Sequence, residues 1–270
     1  LVFGGSFAVL AAITLMALAQ AGIRPEPEQE GRSGLRISVL FNNVPQAPGL
    51  KTAWGFAAVV EVSGQTLLFD TGGDGRLLLG NMERMGIHPE EIDAVFLSHV
   101  HGDHVGGLVT FLRRNPRVAV YMPATFPDQL QAAVTKEGAR LAMVTAPTRL
   151  FDRVYSTGPM GNAPDEQALI LDTPRGLVVI TGCAHPGIVE MTRAARRQHA
   201  KPVRLVLGGF HMLRQSESRI RAAIRELKEL GVAQVAPSHC TGERATALFH
   251  DAWGADFLEA GLGAVIELAP

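Results

Sequence analysis

Cysteine is nearly missing from this chain: its 270 residues contain two, Cys183 and Cys240. At most one disulfide can form. Both cysteines stand in histidine-containing loops, which favours free thiols beside a metal, or ligands, over a structural bridge. Basic runs are missing too. No block of lysine or arginine exceeds two residues, and the net charge is −1. A nucleic-acid partner leaves a basic footprint, so this absence argues against one. There is no low-complexity segment and no repeat that periodicity reveals. Charged residues make up only 19% against 47% hydrophobic, which excludes a disordered chain and implies a folded core.

Charge is locally absent from residues 1–23, a run rich in Ala, Leu, Val and Phe. About 20 apolar residues span a bilayer, so a membrane anchor is one reading. A cleaved signal peptide is the other, because Ala17-Leu18-Ala19 and Ala19-Gln20-Ala21 both fit a small-residue cleavage pattern. A buried core helix ranks last, since residues 24–31 (Arg-Pro-Glu-Pro-Glu-Gln-Glu-Gly) form a polar linker. The expected organisation is a signal peptide or anchor at 1–23, a linker at 24–34 and one domain at 35–270. Either leading reading puts that domain outside the cytoplasm.

Apolar runs and turn residues predict strands at 36–41, 56–62, 66–69, 94–97, 118–121, 168–171, 177–180, 203–207, 234–236 and 264–268. Helices are predicted at 75–85, 105–114, 128–137, 187–199, 217–230 and 243–250. Residues 141–163 read as strands with a long loop that borders a site. Strand pairs followed by strand–helix alternation, in both halves, suggest a layered α/β protein with sheets sandwiched between helices.

Most of the histidines gather at strand ends. The strand at 94–97 runs into Ser98-His99-Val100-His101-Gly102-Asp103-His104. Later strands run into Thr181-Gly182-Cys183-Ala184-His185, Gly208-Gly209-Phe210-His211 and Pro237-Ser238-His239-Cys240. Six of the nine histidines therefore lie at the C-terminal ends of apolar strands, the edge where α/β sheets collect ligands. Imidazole and carboxylate are preferred ligands of Zn²⁺, Fe and Mn. His99 and His101 are two apart, so on extended chain they point the same way. Asp103 and His104 turn into the next helix and can face a second ion. Gly102 and Gly106-Gly107 give the backbone room for that turn. His88, His199 and His250 read as surface residues.

The run 98–108, with Asp70-Thr71-Gly72 upstream, resembles the metallo-β-lactamase-fold hydrolases. The loops at 181–188, 208–211 and 239–242 resemble the dihydropterin ribofuranosylaminobenzene phosphate synthase-like branch of that superfamily. The resemblance spans roughly residues 37–268. It implies a four-layer αβ/βα sandwich and two divalent ions, Zn first, with Fe or Mn as alternatives. His99, His101 and His185 would hold one ion, and Asp103, His104 and His239 the other. Asp70 would accept a hydrogen bond that orients the loop. Cys183 stands where the superfamily usually has a bridging aspartate, and either ligates an ion as thiolate or leaves the second site weak. Gly102 stands where the branch tends to have an aromatic residue.

The implied activity is hydrolysis of a small ester, lactone or phosphoester by a metal-bound hydroxide. Asp103 would orient the nucleophile or take its proton, and His211 would bind an anionic group or stabilise the transition state. Two alternatives remain open: a non-catalytic metal- or ligand-binding protein of this fold, and a mononuclear iron persulfide-type oxygenase.

Overall fold

The computed structural model describes residues 34–269. The signal-peptide or anchor segment at 1–23 lies outside them, as does nearly all of the linker. Among the described residues no helix is long and apolar enough to cross a membrane.

Two mixed sheets form the centre. Side by side in the first stand β13 (Val265–Leu268), β1 (Leu35–Asn42), β2 (Phe56–Val62), β3 (Gln65–Phe69), β4 (Ala94–Phe96), β5 (Ala119–Pro123) and β6 (Arg140–Val144). The second orders β12 (Gln234–Ser238), β11 (Val203–Gly209), β10 (Gly176–Thr181), β9 (Leu169–Thr173), β8 (Val154–Ser156) and β7 (Thr148–Phe151). Each sheet is antiparallel on one side and parallel on the other. Strands β3 to β6 pair in parallel, as do β10, β11 and β12. Parallel neighbours bring their C-terminal ends to one edge. That is why Asp70 after β3 comes beside the 98–104 run after β4, and why the loops after β10, β11 and β12 lie together.

Strand alternation makes three apolar layers. Val178 and Ile180 of β10 turn inward, where they join Val60, Leu67, Phe69 and Phe96 of the other sheet. Phe69 stacks on Phe96 with centroids 5.5 Å apart. Leu177 and Val179, one residue out of phase, face the helices instead. There Ile220, Ile224 and Leu227 of the helix Glu217–Glu229 supply an i, i+4, i+7 stripe, and Ser216 caps the helix by accepting from the Arg219 N–H. On the outer face of the first sheet, Leu78 and Met82 of the helix Gly75–Arg84 pack with Phe111 and Leu112. The result is the expected four-layer αβ/βα sandwich.

One expectation needs correction. Residues 105–114 are not one helix: Gly102–Val105 and Leu108–Leu112 are separate short helices broken at Gly106-Gly107. The glycines do more than ease a turn. A Cβ on Gly106 would lie 2.5 Å from the Gly73 carbonyl oxygen, and one on Gly107 would lie 2.2 Å from that of Thr71. The Asp70–Gly73 loop thus rests directly on this backbone, and that contact fixes the spacing between Asp70 and the histidine run. Residues 141–163, read as strands with a long loop, contain most of β6 and all of β7 and β8. The β7–β8 hairpin is the far edge of the second sheet.

Candidate metal centre

Four non-glycine residues at the strand-end loops take left-handed backbone: Asp70 (φ 52°), Ala184 (φ 59°), His211 (φ 52°) and His239 (φ 50°). Such conformations are unfavourable for side chains with a Cβ and persist where the surroundings over-determine them.

Three imidazoles converge in a first triad. His99 Nε2 lies 3.2 Å from His101 Nδ1 and 3.3 Å from His185 Nε2. Ring nitrogens that face one another this closely suit a shared cation. His99 is fully buried, His185 half-buried and His101 exposed. Ser98 Oγ lies 2.9 Å from His99 Nδ1 and fixes that ring from behind. Burial, and then the neighbouring imidazoles, push the His99 pKa far down. The same causes lower His185 to about 4. Both rings are therefore neutral near pH 7, the state a metal ligand needs.

The second triad is Asp103, His104 and His239. Asp103 Oδ2 lies 3.3 Å from His239 Nε2 and 3.6 Å from His104 Nε2. His239 Nε2 is buried and has no hydrogen-bond partner. A buried, unpartnered ring nitrogen in this position suits a cation ligand. Burial alone would raise the Asp103 carboxyl. The His239 ring beside it and the charge of His104 outweigh burial and bring it down to about 2. Behind this triad, Asp70 accepts from Ser98 N–H and Ser98 Oγ, each at 2.7 Å, and its Oδ2 lies 2.7 Å from His104 Nδ1. Burial opposes protonation of His104, but the Asp70 carboxylate prevails and the pKa sits above the ordinary imidazole value.

Cys183 stands between the triads, with Sγ 3.3 Å from His104 Nε2. It and Cys240 are both free and buried. Contact with Cys240, then burial, pushes the Cys183 thiol up, while Cys183 and His211 draw the Cys240 thiol down against burial. His211 is exposed, its ring 4.3 Å from that of His185, and its contact with Cys240 raises its pKa. The structure therefore gathers every candidate ligand and catalytic residue read from the sequence into one cluster. His88 and His250 are exposed, as expected. His199 differs: it is half-buried, 4.5 Å from the Tyr155 ring.

Two residues escaped the sequence reading. Asn43 Oδ1 lies 2.7 Å from His239 Nδ1 and orients that ring. Glu166 is fully buried. Its carboxylate accepts from the backbone N–H groups of Gly182 (3.0 Å), Cys183, Ala184 and His185 (each 2.9 Å). It thereby pins the whole loop that carries Cys183 and His185. Burial pushes its pKa up, and the backbone donors pull the other way. A carboxylate immediately before an apolar strand was the only sequence signal for it.

Two outcomes are expected here. Asp70→Asn keeps the shape but loses the charge behind His104, so any divalent ion that the second triad holds should bind about 10–100-fold more weakly. Stepwise chelator competition checks this, and equal weakening of both ions would contradict it. The second outcome concerns acid. In metal-stripped protein, His185 takes up a proton near pH 4, whereas the unfolded chain does so near the ordinary value of 6.5. Between these values the unfolded state binds more protons, so stability falls as pH drops. His99 adds to the loss, and His104, shifted the other way, offsets part of it. The thermal midpoint should fall between pH 7 and pH 5, and a flat or rising profile would contradict the assignment.

A two-sheet sandwich that presents histidine, aspartate and cysteine from five loops at one edge defines an α/β protein built around a candidate metal centre. Residues 55–199 match the metallo-beta-lactamase superfamily, and the chain belongs to it. It is similar to the 7,8-dihydropterin-6-methyl-4-(beta-D-ribofuranosyl)-aminobenzene-5'-phosphate synthase of Methanocaldococcus jannaschii, with 29% identity over 259 residues, covering 78% of this chain and 88% of that one. Among solved structures it resembles Tm1679, a metal-dependent hydrolase of the beta-lactamase superfamily. That match has a TM-score of 0.75 and 27% identity, covering 87% of this chain and 100% of that one. The metallo-beta-lactamase fold protein YhfI from Bacillus subtilis shares the fold at a TM-score of 0.65 and 16% identity, covering 87% of this chain and 99% of that one.

Proposed function

We propose that this chain is a metal-dependent hydrolase of a small ester, lactone or phosphoester. The observation that carries the reading is the pair of donor triads meeting at one loop cluster, with His239 Nε2 buried and unpartnered 3.3 Å from Asp103 Oδ2. His99, His101 and His185 would hold one divalent ion, Zn²⁺ first. Asp103, His104 and His239 would hold the other, with Cys183 between them. Bound ions supply an activated water and offset charge developing at the attacked centre. The side chains do the rest. Asp103, ionised at neutral pH, orients that water or takes its proton. His211, exposed beside His185, receives the anionic part of the substrate. The phosphate in the name of the methanogen synthase supports a phosphoester among these choices. The charge-free segment at 1–23 supports a domain held outside the cytoplasm.

The test is a screen of phosphoesters, lactones and carboxylic esters with zinc- or manganese-loaded full chain, metal content being measured in parallel. Turnover lost to chelator and restored by metal is expected. Two equivalents of metal with no turnover in any class would overturn it. That result would favour the second reading, a non-catalytic metal-binding protein. Its support is Cys183, which stands where the superfamily usually has a bridging aspartate.

A further inference from the structure

Five large apolar side chains are left exposed among the described residues, and three of them, Val44, Trp54 and Leu213, line one cavity. Scattered surface hydrophobics need no explanation, but a convergent set beside a site does. The cavity holds about 730 Å³, within the range of small-molecule sites. Of the second triad, His239 forms part of its wall, while Asp103 and His104 do not line it.

Trp54 is held there. Its ring lies 4.8 Å from the His239 ring, tilted by 52°. The next residue is Gly55, at φ +138°, where a Cβ would lie only 2.3 Å from the Asp103 carbonyl oxygen. The chain that presents Trp54 therefore rests on the backbone of Asp103 with no side chain between. An indole beside the His239 ring offers an apolar face to a ring bound in the cavity. The charged groups of the cavity are mainly acidic, Glu243, Asp251 and Glu259 against Arg244, so a further anionic group on the occupant is disfavoured.

We propose that this cavity receives a planar, uncharged aromatic group of the substrate, and that Trp54 selects it. The proposal rests on the hydrolase reading only for the reactive group attached to that ring.

Phenylphosphonate and methylphosphonate share an anionic head and differ by the ring. Calorimetric titration of zinc-loaded full chain should show the aryl compound binding about tenfold tighter. In Trp54→Ala the preference should shrink to under about twofold, with zinc content and methylphosphonate affinity unchanged, while Trp54→Phe keeps most of it. Trp253, the other tryptophan, is buried, so a change in the solvent-exposed indole emission reports Trp54. Phenylphosphonate should shift that emission and methylphosphonate should not. Equal affinities, binding of neither compound, or an aryl preference that survives Trp54→Ala would overturn the proposal. Ring preference without turnover of any ester would sink the hydrolase reading and leave this one standing. Turnover without ring preference would do the reverse.

Discussion

Under the proposed metal-dependent hydrolase function, alanine at His101 should remove one ion and reduce turnover by more than the about hundredfold that loss of a group merely hydrogen-bonded to a ligand can bring. His101 is the cleanest probe of the first triad because it is exposed, whereas His99 is fully buried. Removing an exposed ring opens no cavity, so the variant should fold with an unchanged thermal midpoint in the metal-free state. The remaining nitrogens, His99 Nε2 and His185 Nε2, lie 3.3 Å apart and give only two of the ligands that a stable site needs. Metal content by elemental analysis, read beside activity, checks the result. Full metal with full activity would remove the first triad from the centre.

Alanine at Glu166 should be the most destabilising single change at the site. Four backbone N–H groups lose their acceptor at once, three of them in the fully buried stretch Gly182–Ala184. Each buried donor left unpaired costs about 1–3 kcal/mol. Removing a buried carboxylate returns part of that, because burial already disfavours its charge. A net loss of about 3 kcal/mol or more is expected, a large share of a typical total of about 5–15 kcal/mol. Glu166→Gln keeps an acceptor oxygen but turns an NH₂ toward donors, so its loss should be smaller. Denaturant midpoints separate the variants. Cys183 and His185 ride on this loop, so metal affinity should fall in the same order. An alanine variant as stable as the parent would show that the loop is held by something else.

The parts of the centre legible in sequence were those close together along the chain. His99, His101, Asp103 and His104 fall within six positions, and the period of two and the helical turn that follows already separate them into two sets. Cys183, His185, His211 and His239 were legible for a different reason: each follows an apolar run, and ligands collect at strand ends. Asn43 and Glu166 were not legible. Asn43 acts on a residue 196 positions away, and Glu166 acts on backbone N–H groups 16 to 19 positions away. Backbone acceptance leaves no residue-type signature at the partner. Trp54 was hidden likewise, since a lone tryptophan in a loop says nothing until the Gly55–Asp103 contact sets its place. The helix expected at 105–114 failed for a related reason. Local pattern favoured continuity, but the Thr71 and Gly73 carbonyls press on Gly106 and Gly107 and break it.

By itself the sequence determined the layered α/β class, most strand positions and the donor types, because alternation, turn residues and ligand chemistry are local properties. Tertiary structure alone decided which donors meet, since that depends on two sets of parallel strands ending at one edge. It also decided which rings are buried and hence neutral, which carboxylate holds which loop, and that a large cavity opens beside His239. Burial and long-range hydrogen bonding are properties of the packed chain, and no short window of sequence contains them.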